Sequence, residues 1–360
     1  MKRNLSATRF LTMLTIGVTA TLAAPAGAMQ INVTYDSTVT SLSNATQFEN
    51  AFDSVVSQFQ SAITNSATIA IQVSVGKISS SVPLPSGAVS GSFDPKTAMG
   101  STAAASFANT TAALSGTGAV LPGTSPTGSA VFYMPQAEVK ALGLPAAIYP
   151  TANAFDGFIG FTSTMSQLSF SGTPTSTQYS FQTAAMHEIQ EVLGRTSFLN
   201  NAGTIYQSFA TPIDLFRYAA AGVSSYTQNT ANGGTPAYAS IDGGVTDLGT
   251  FADQTTTGDR TDWQTPVNTT STDAQNALLS LGVNQGLSIS DEDVLKALGY
   301  TFASNNGNGL FSGVNAPVGA TASVNASQPV PEPTSLALLA AFAALAGLTC
   351  RRAPRSVLAG

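Results

Sequence analysis

Apolar positions along this chain repeat with two periods, and the places where the period changes mark out its elements. Ile31, Val33 and Tyr35 recur at every second residue, as do Ile69, Ile71, Val73 and Val75 within Thr68–Val75, which predicts two strands with one covered face each. Between them Phe48, Phe52, Val55, Val56 and Phe59 recur at helical spacing, so the chain opens as strand, helix, strand. Residues 79–126 are rich in Ser, Thr, Gly and Ala; a helix is expected between Pro95 and Leu114, and no chemistry is assigned there. Phe155–Phe161 reads as a turn running into a strand, with a hairpin expected to end near Phe170. From Tyr179 to about Phe198 the pattern is helical again, with neither Gly nor Pro before Gly194. Ser290-Asp291-Glu292-Asp293 predicts the capped start of a last helix through Leu298, closed by Gly299. The expected fold is α/β of the α+β kind, with a mixed sheet and one long helix, in a single domain over residues 29–300.

The two ends follow different patterns. Lys2, Arg3 and Arg9 precede an apolar run from Phe10 to about Leu22 and the small residues Ala26-Gly27-Ala28, the order of a secretory signal peptide over residues 1–28. Residues 301–329, rich in Asn, Gly, Ala and Ser, read as a flexible linker. Val330-Pro331-Glu332-Pro333 then leads into the uncharged run Thr334–Cys350, closed by Arg351, Arg352 and Arg355. That run is at the short limit for a transmembrane helix, for which roughly 17 to 25 residues are needed, and its arginines should stay cytoplasmic. Residues 330–355 resemble a PEP-CTERM sorting signal. The resemblance implies a Gram-negative bacterium, transient residence of the tail in the inner membrane, cleavage by an exosortase, and release to the cell surface or an extracellular (biofilm) matrix.

Charge narrows the list of partners. Only 9% of residues are charged, so solubility rests on hydroxyls and amides. Met29 to Pro329 holds 18 Asp plus Glu against 7 Lys plus Arg, a net charge of −11, which repels nucleic acid and anionic lipid. The one cysteine, Cys350, lies in the tail, so the exported part contains no disulfide.

The one histidine, His187, opens the string His187-Glu188-Ile189-Gln190-Glu191-Val192-Leu193-Gly194-Arg195, which differs from the H-E-x-x-H zinc-peptidase helix by a glutamate at its last position. Glu makes up six of 360 residues, so two glutamates at these offsets from the histidine would arise by chance roughly 3 times in 10,000. At about 100° per residue, Glu191 lies within about 40° of His187 and Glu188 within about 100°, beside an apolar stripe of Phe181, Ala185, Ile189 and Val192. Ala184 and Gly194 share the face of His187, where small residues would leave space for a metal and a substrate. A strand followed by a long helix with a His-Glu pair is the plan of zincin peptidases.

In that plan His187 and Glu191 bind Zn²⁺, and Glu188 is the general base towards water. A carboxylate in place of the second imidazole moves preference towards harder ions such as Mn²⁺. The third ligand is open: Asp214 is the leading candidate and Asp242 a weaker one, while Ser197, at the metzincin position, is a poor donor. Asp214 is equally read as a capping residue after Pro212. Arg217 and Tyr218 are candidates for an oxyanion or bracing role. Asp242, Asp247, Asp253, Asp259 and Asp262 form an oxygen-rich run compatible with structural Ca²⁺, although EF-hand spacing is missing and a solvated loop is the simpler reading. Trp263 reads as a core anchor.

The His187–Arg195 string, Thr211-Pro212-Ile213-Asp214-Leu215-Phe216-Arg217-Tyr218, Ser240-Ile241-Asp242-Gly243-Gly244-Val245-Thr246 and Asp262-Trp263 together resemble a family of exported, PEP-CTERM-tailed metalloproteases. The resemblance implies a zincin-like fold and endopeptidase activity on a protein or peptide substrate, with His187, Glu188 and Glu191 at the motif positions. The alternative is a non-catalytic surface or matrix protein on a degenerate zincin fold.

Overall fold

Alternation at the start of the chain builds the centre of the main sheet. Strand β1 (Gln30–Tyr35) runs parallel to β2 (Thr68–Val75), with Ile31 opposite Ile69 and Tyr35 opposite Val73. A parallel pair needs a crossover, and helix α1 (Ala45–Ala62) supplies it, burying Phe48, Phe52, Val55, Val56 and Phe59. Next come β3 (Ser90–Phe93), β4 (Lys96–Ala98), α2 (Ala103–Leu114), β5 (Val131–Pro135), α3 (Gln136–Ala141) and β6 (Gly157–Phe161). The main sheet has the order β1-β2-β6-β3, with β6 parallel to β2 and β3 antiparallel on the outer side of β6. Helix α4 (Phe181–Val192) lies against β3 and β6, and α5 (Ile289–Ala297) follows later in the chain. The fold is thus mixed α/β with parallel and antiparallel pairing.

The computed structural model describes residues 28–100, 103–125, 131–145, 154–171, 173–198, 209–226, 236–252, 259–264, 273–303 and 328–329. The expected signal peptide, most of the linker and the sorting tail with its apolar run 334–350 lie outside these residues. Among the described residues, no helix is long and apolar enough to cross a membrane.

Four local expectations change. The helix expected from Pro95 starts only at Ala103, because Lys96–Ala98 pair antiparallel with Pro135–Tyr133. No hairpin closes at Phe170; Leu168–Ser169 pairs in parallel with Tyr179–Ser180. The last helix is capped by Ser288, whose hydroxyl accepts the Asp291 N–H, rather than by Ser290. Helix α4 stops at Val192, well short of Phe198, because Gly194 turns into the left-handed region at φ 121°. The Gly194 N–H donates to Glu191 O and the Arg195 N–H to Gln190 O, the paired bonds of a Schellman ending.

Both ends of α4 are therefore fixed. At its start Ser180 accepts the Thr183 N–H, and Phe181 is the hub of an aromatic cluster with centroids 4.7 Å from Phe48, 4.7 Å from Phe161 and 4.8 Å from Phe170. At its end the backbone of β6 comes close enough that a Cβ on Gly157 would stand 2.3 Å from Val192 Cγ1. Gly157→Ala is predicted to overpack this contact and destabilise the fold by about 1–3 kcal/mol. The midpoint of urea unfolding measures this, and an unchanged midpoint would contradict the packing described.

Candidate metal centre

One turn of α4 carries the site. His187, Glu188 and Glu191 are buried at 0%, 0% and 2% exposure, and each offers a donor atom within 4.8 Å of the other two. They form a buried trio able to hold a metal ion. The His187 Nδ1 lies 2.9 Å from the carbonyl of Ala274; a carbonyl only accepts, so Nδ1 carries a proton and Nε2 is the ring nitrogen turned towards the carboxylates. Nε2 stands 3.5 Å from Glu191 Oε1 and 3.5 Å from Asp262 Oδ1, and Asp262 is fully buried. The main chain of the same residue is held as well, since Gln275 Nε2 donates to His187 O at 3.0 Å.

Edge strand β3 covers the carboxylates. Ser92 Oγ donates to Glu191 Oε2 at 2.6 Å, and Ser90 faces Glu188 from the same strand. Strand alternation puts both serines on one face, turned to the helix. Serine-rich composition hid them in the sequence; their spacing of two within a strand pairing with β6 is the signal that points to them.

Asp214 and Asp242 sit elsewhere. Asp214 Oδ1 accepts from Ser197 Oγ at 2.6 Å, and its Oδ2 accepts from Thr211 N at 2.9 Å and Thr211 Oγ1 at 3.1 Å. Oδ2 thus closes a capping box at the head of the 3-10 turn Pro212–Phe216 and Oδ1 is taken by Ser197, and the trio is not among their partners. Asp242 folds its loop by accepting from Ser240 Oγ, Val245 N, Thr246 N and Thr246 Oγ1. Arg217 is buried; it donates to Arg260 O at 2.6 Å and lies 4.2 Å over the Phe251 ring, the geometry of a brace. Tyr218 is buried in the strand Arg217–Ala220, opposite Tyr238. Gly194, expected to clear space above the trio, instead faces Glu138 Oε2 and Leu298, where a Cβ would meet them at 3.0 and 3.5 Å. Of the acidic run, Asp262 reaches His187, while Asp247 caps Gly249 N within its own loop.

The charges are poorly compensated. Among the described residues, Glu191 Oε1, Asp262 Oδ1 and both Glu188 oxygens are buried without a hydrogen bond of ordinary geometry. Burial pushes the Glu188 carboxyl well above the usual range and Glu191 adds to the rise, against the opposing pull of His187 and Ser90. Asp262 is raised to about 7, chiefly by burial, with His187 pulling the other way. For Glu191, burial is outweighed by His187 and the Ser92 hydroxyl, so its carboxyl is lowered. The trio and Asp262 thus suit a divalent cation by the chemistry of their donors and by the buried oxygens that await a partner. Comparison with known proteins adds no further guide: no family model matches the chain, and no curated protein or solved structure is significantly similar to it.

A carboxyl raised in the folded state holds its proton more tightly there than when unfolded. Its stabilising contribution is complete below the unfolded pKa and is lost as pH climbs through the folded one. With Asp262 moving from 3.8 to about 7, the metal-free chain is predicted to lose up to a few kcal/mol of stability between about pH 4 and about pH 7. Urea unfolding at the two pH values measures it; constant or rising stability over that window would contradict the assignment.

Proposed function

We propose that this chain is an exported, metal-dependent endopeptidase of zincin-like plan. The carrying observation is the gathering of His187, Glu188 and Glu191 on one buried helical turn beneath the antiparallel edge strand β3. In this reading His187 Nε2 and Glu191 Oε1 hold the ion, Zn²⁺ or the harder Mn²⁺. A divalent cation there supplies Lewis acidity towards a peptide carbonyl and makes nearby water more acidic. Glu188 takes the proton of the attacking water and passes it to the leaving amine. Its raised pKa suits both halves of that role, because positive charge at the cluster brings the carboxyl down while burial keeps it a competent acid. Ser92 fixes Glu191 through Oε2 and leaves Oε1 for the ion. The signals at the two ends would carry the domain across the inner membrane and, after exosortase cleavage of the tail, to the surface.

One observation favours a second reading, a non-catalytic surface or matrix protein: the trio is enclosed. An enclosed ion still stabilises the fold, whereas a peptidase must open the cluster to its substrate. Metal content and turnover divide the two. The purified chain is predicted to hold about one equivalent of Zn or Mn and to lose it in His187→Ala. Glu188→Gln should keep the metal and hydrolyse unstructured protein about 10²–10⁴-fold more slowly. Metal retained with no hydrolysis by the unaltered chain supports the second reading, as does a chain that takes up no metal and keeps its stability in His187→Ala; either outcome contradicts the peptidase.

A further inference from the structure

We propose that Asp262 is the third protein donor of the His187–Glu191 centre and that Arg195 is the residue that positions it. This rests on the metal-binding reading above and adds the donor that the helix itself lacks. The first support is geometric. Nε2 of His187 faces Glu191 Oε1 and Asp262 Oδ1 at the same separation, 3.5 Å. Hydrogen bonds between an imidazolium and carboxylates close to about 2.7–2.9 Å. Donors at about 2.1 Å from a common tetrahedral ion stand about 3.4 Å from one another. The two separations from Nε2 match that edge and exceed a charge-assisted hydrogen bond.

The second support is satisfaction. Asp262 Oδ2 is occupied by the Asp259 N–H at 3.0 Å, while Oδ1, on the side of His187, is buried without a hydrogen bond among the described residues. Asp214 has no such free oxygen. Charge is compatible with this: the carboxylates of Glu191 and Asp262 balance one divalent cation, which lowers the desolvation cost of enclosing it.

Arg195 closes the argument by showing how a residue far along the chain is held beside α4. It is the last residue of the Schellman ending, is fully buried, and clamps both neighbours of Asp262. Its Nε donates to Thr261 O at 3.1 Å, and its own carbonyl accepts from Thr261 Oγ1 at 2.9 Å. The guanidinium lies 4.1 Å over the Trp263 ring and pairs with Asp291, which also accepts from Trp263 Nε1 at 2.8 Å. A planar group that stacks and donates along separate directions performs this; an ammonium does not.

The test is metal binding by the full chain with Zn²⁺ and Co²⁺ as probes. Asp262→Asn should weaken Zn²⁺ binding by more than the roughly 10–100-fold typical of an outer-shell change, while Asp214→Asn leaves it within a few-fold. Arg195→Lys should shift the Co²⁺ absorption bands, which report the ligand field, towards those of Asp262→Asn. A lowered melting temperature with unaltered Co²⁺ bands would make Arg195 merely structural and overturn its positioning role. Should Asp262→Asn fail to fold, anomalous diffraction from crystals of the unaltered chain soaked in Zn²⁺ decides. An ion about 2.0–2.2 Å from Asp262 Oδ1 supports the inference. An ion on His187 and Glu191 but not on Asp262 overturns it and leaves the metal reading standing, and no ion at His187 removes both.

Discussion

Several carboxylates enclosed around one imidazole create a charge problem, and much of the surrounding structure is arranged about it. Glu188, Glu191 and Asp262 are fully or almost fully buried beside His187. Without a counter-charge such a cluster is tolerated only by taking up protons, and the raised carboxyls of Glu188 and Asp262 show that response. A divalent cation meets the same need at neutral pH. The protein also spends directed hydrogen bonds on fixing each donor: Ala274 O on the far ring nitrogen of His187, Ser92 on the outer oxygen of Glu191, and the Asp259 N–H on Asp262. Each occupies the atom that a ligand does not use, which leaves the remaining atoms facing inward.

The scaffold that holds these atoms is stiff on both sides. Phe181 ties the start of α4 to α1 and β6 through ring contacts, and the Schellman ending stops it where β6 passes over Val192. Beyond that ending the polar framework takes over. Arg195 and Arg217 each donate to a carbonyl of the turn that carries Asp262, at Thr261 and Arg260, and Arg260 in turn donates to Ala252 O. Buried guanidinium groups stacked on Trp263 and Phe251 are an unusual investment for a chain with so few charged residues. Their common target is the backbone of residues 260–261, next to the carboxylate that meets His187.

Local pattern made part of this legible. β1, α1 and β2 follow from the alternating and helical spacing of their apolar residues because each has one covered face, and the trio follows from its offsets along a single helix. The approach of Asp262 to His187 did not follow. Asp262 lies in a polar run and reaches His187 across a long stretch of chain, so no periodicity connects them; only the three-dimensional clamp of Arg195 on Thr261 and Trp263 does. Ser90 and Ser92 were obscured by a serine-rich stretch, and Asp214 drew notice through its neighbours although its oxygens are consumed by Thr211 and Ser197. The end of α4 is not legible from the helical pattern alone, which runs on past Gly194, whereas the left-handed backbone of that glycine terminates the helix.

The central claim is that the cluster around His187 is built for a divalent cation. Thermal unfolding of the purified chain at pH 7, after treatment with chelator and again with Zn²⁺ or Mn²⁺ added back, tests it most directly. Binding confined to the folded state should raise stability by about 2.7 kcal/mol at a metal concentration 100 times Kd, with a matching rise in Tm that disappears in His187→Ala. Equal Tm values with and without metal, in chain shown to be folded, would contradict the claim.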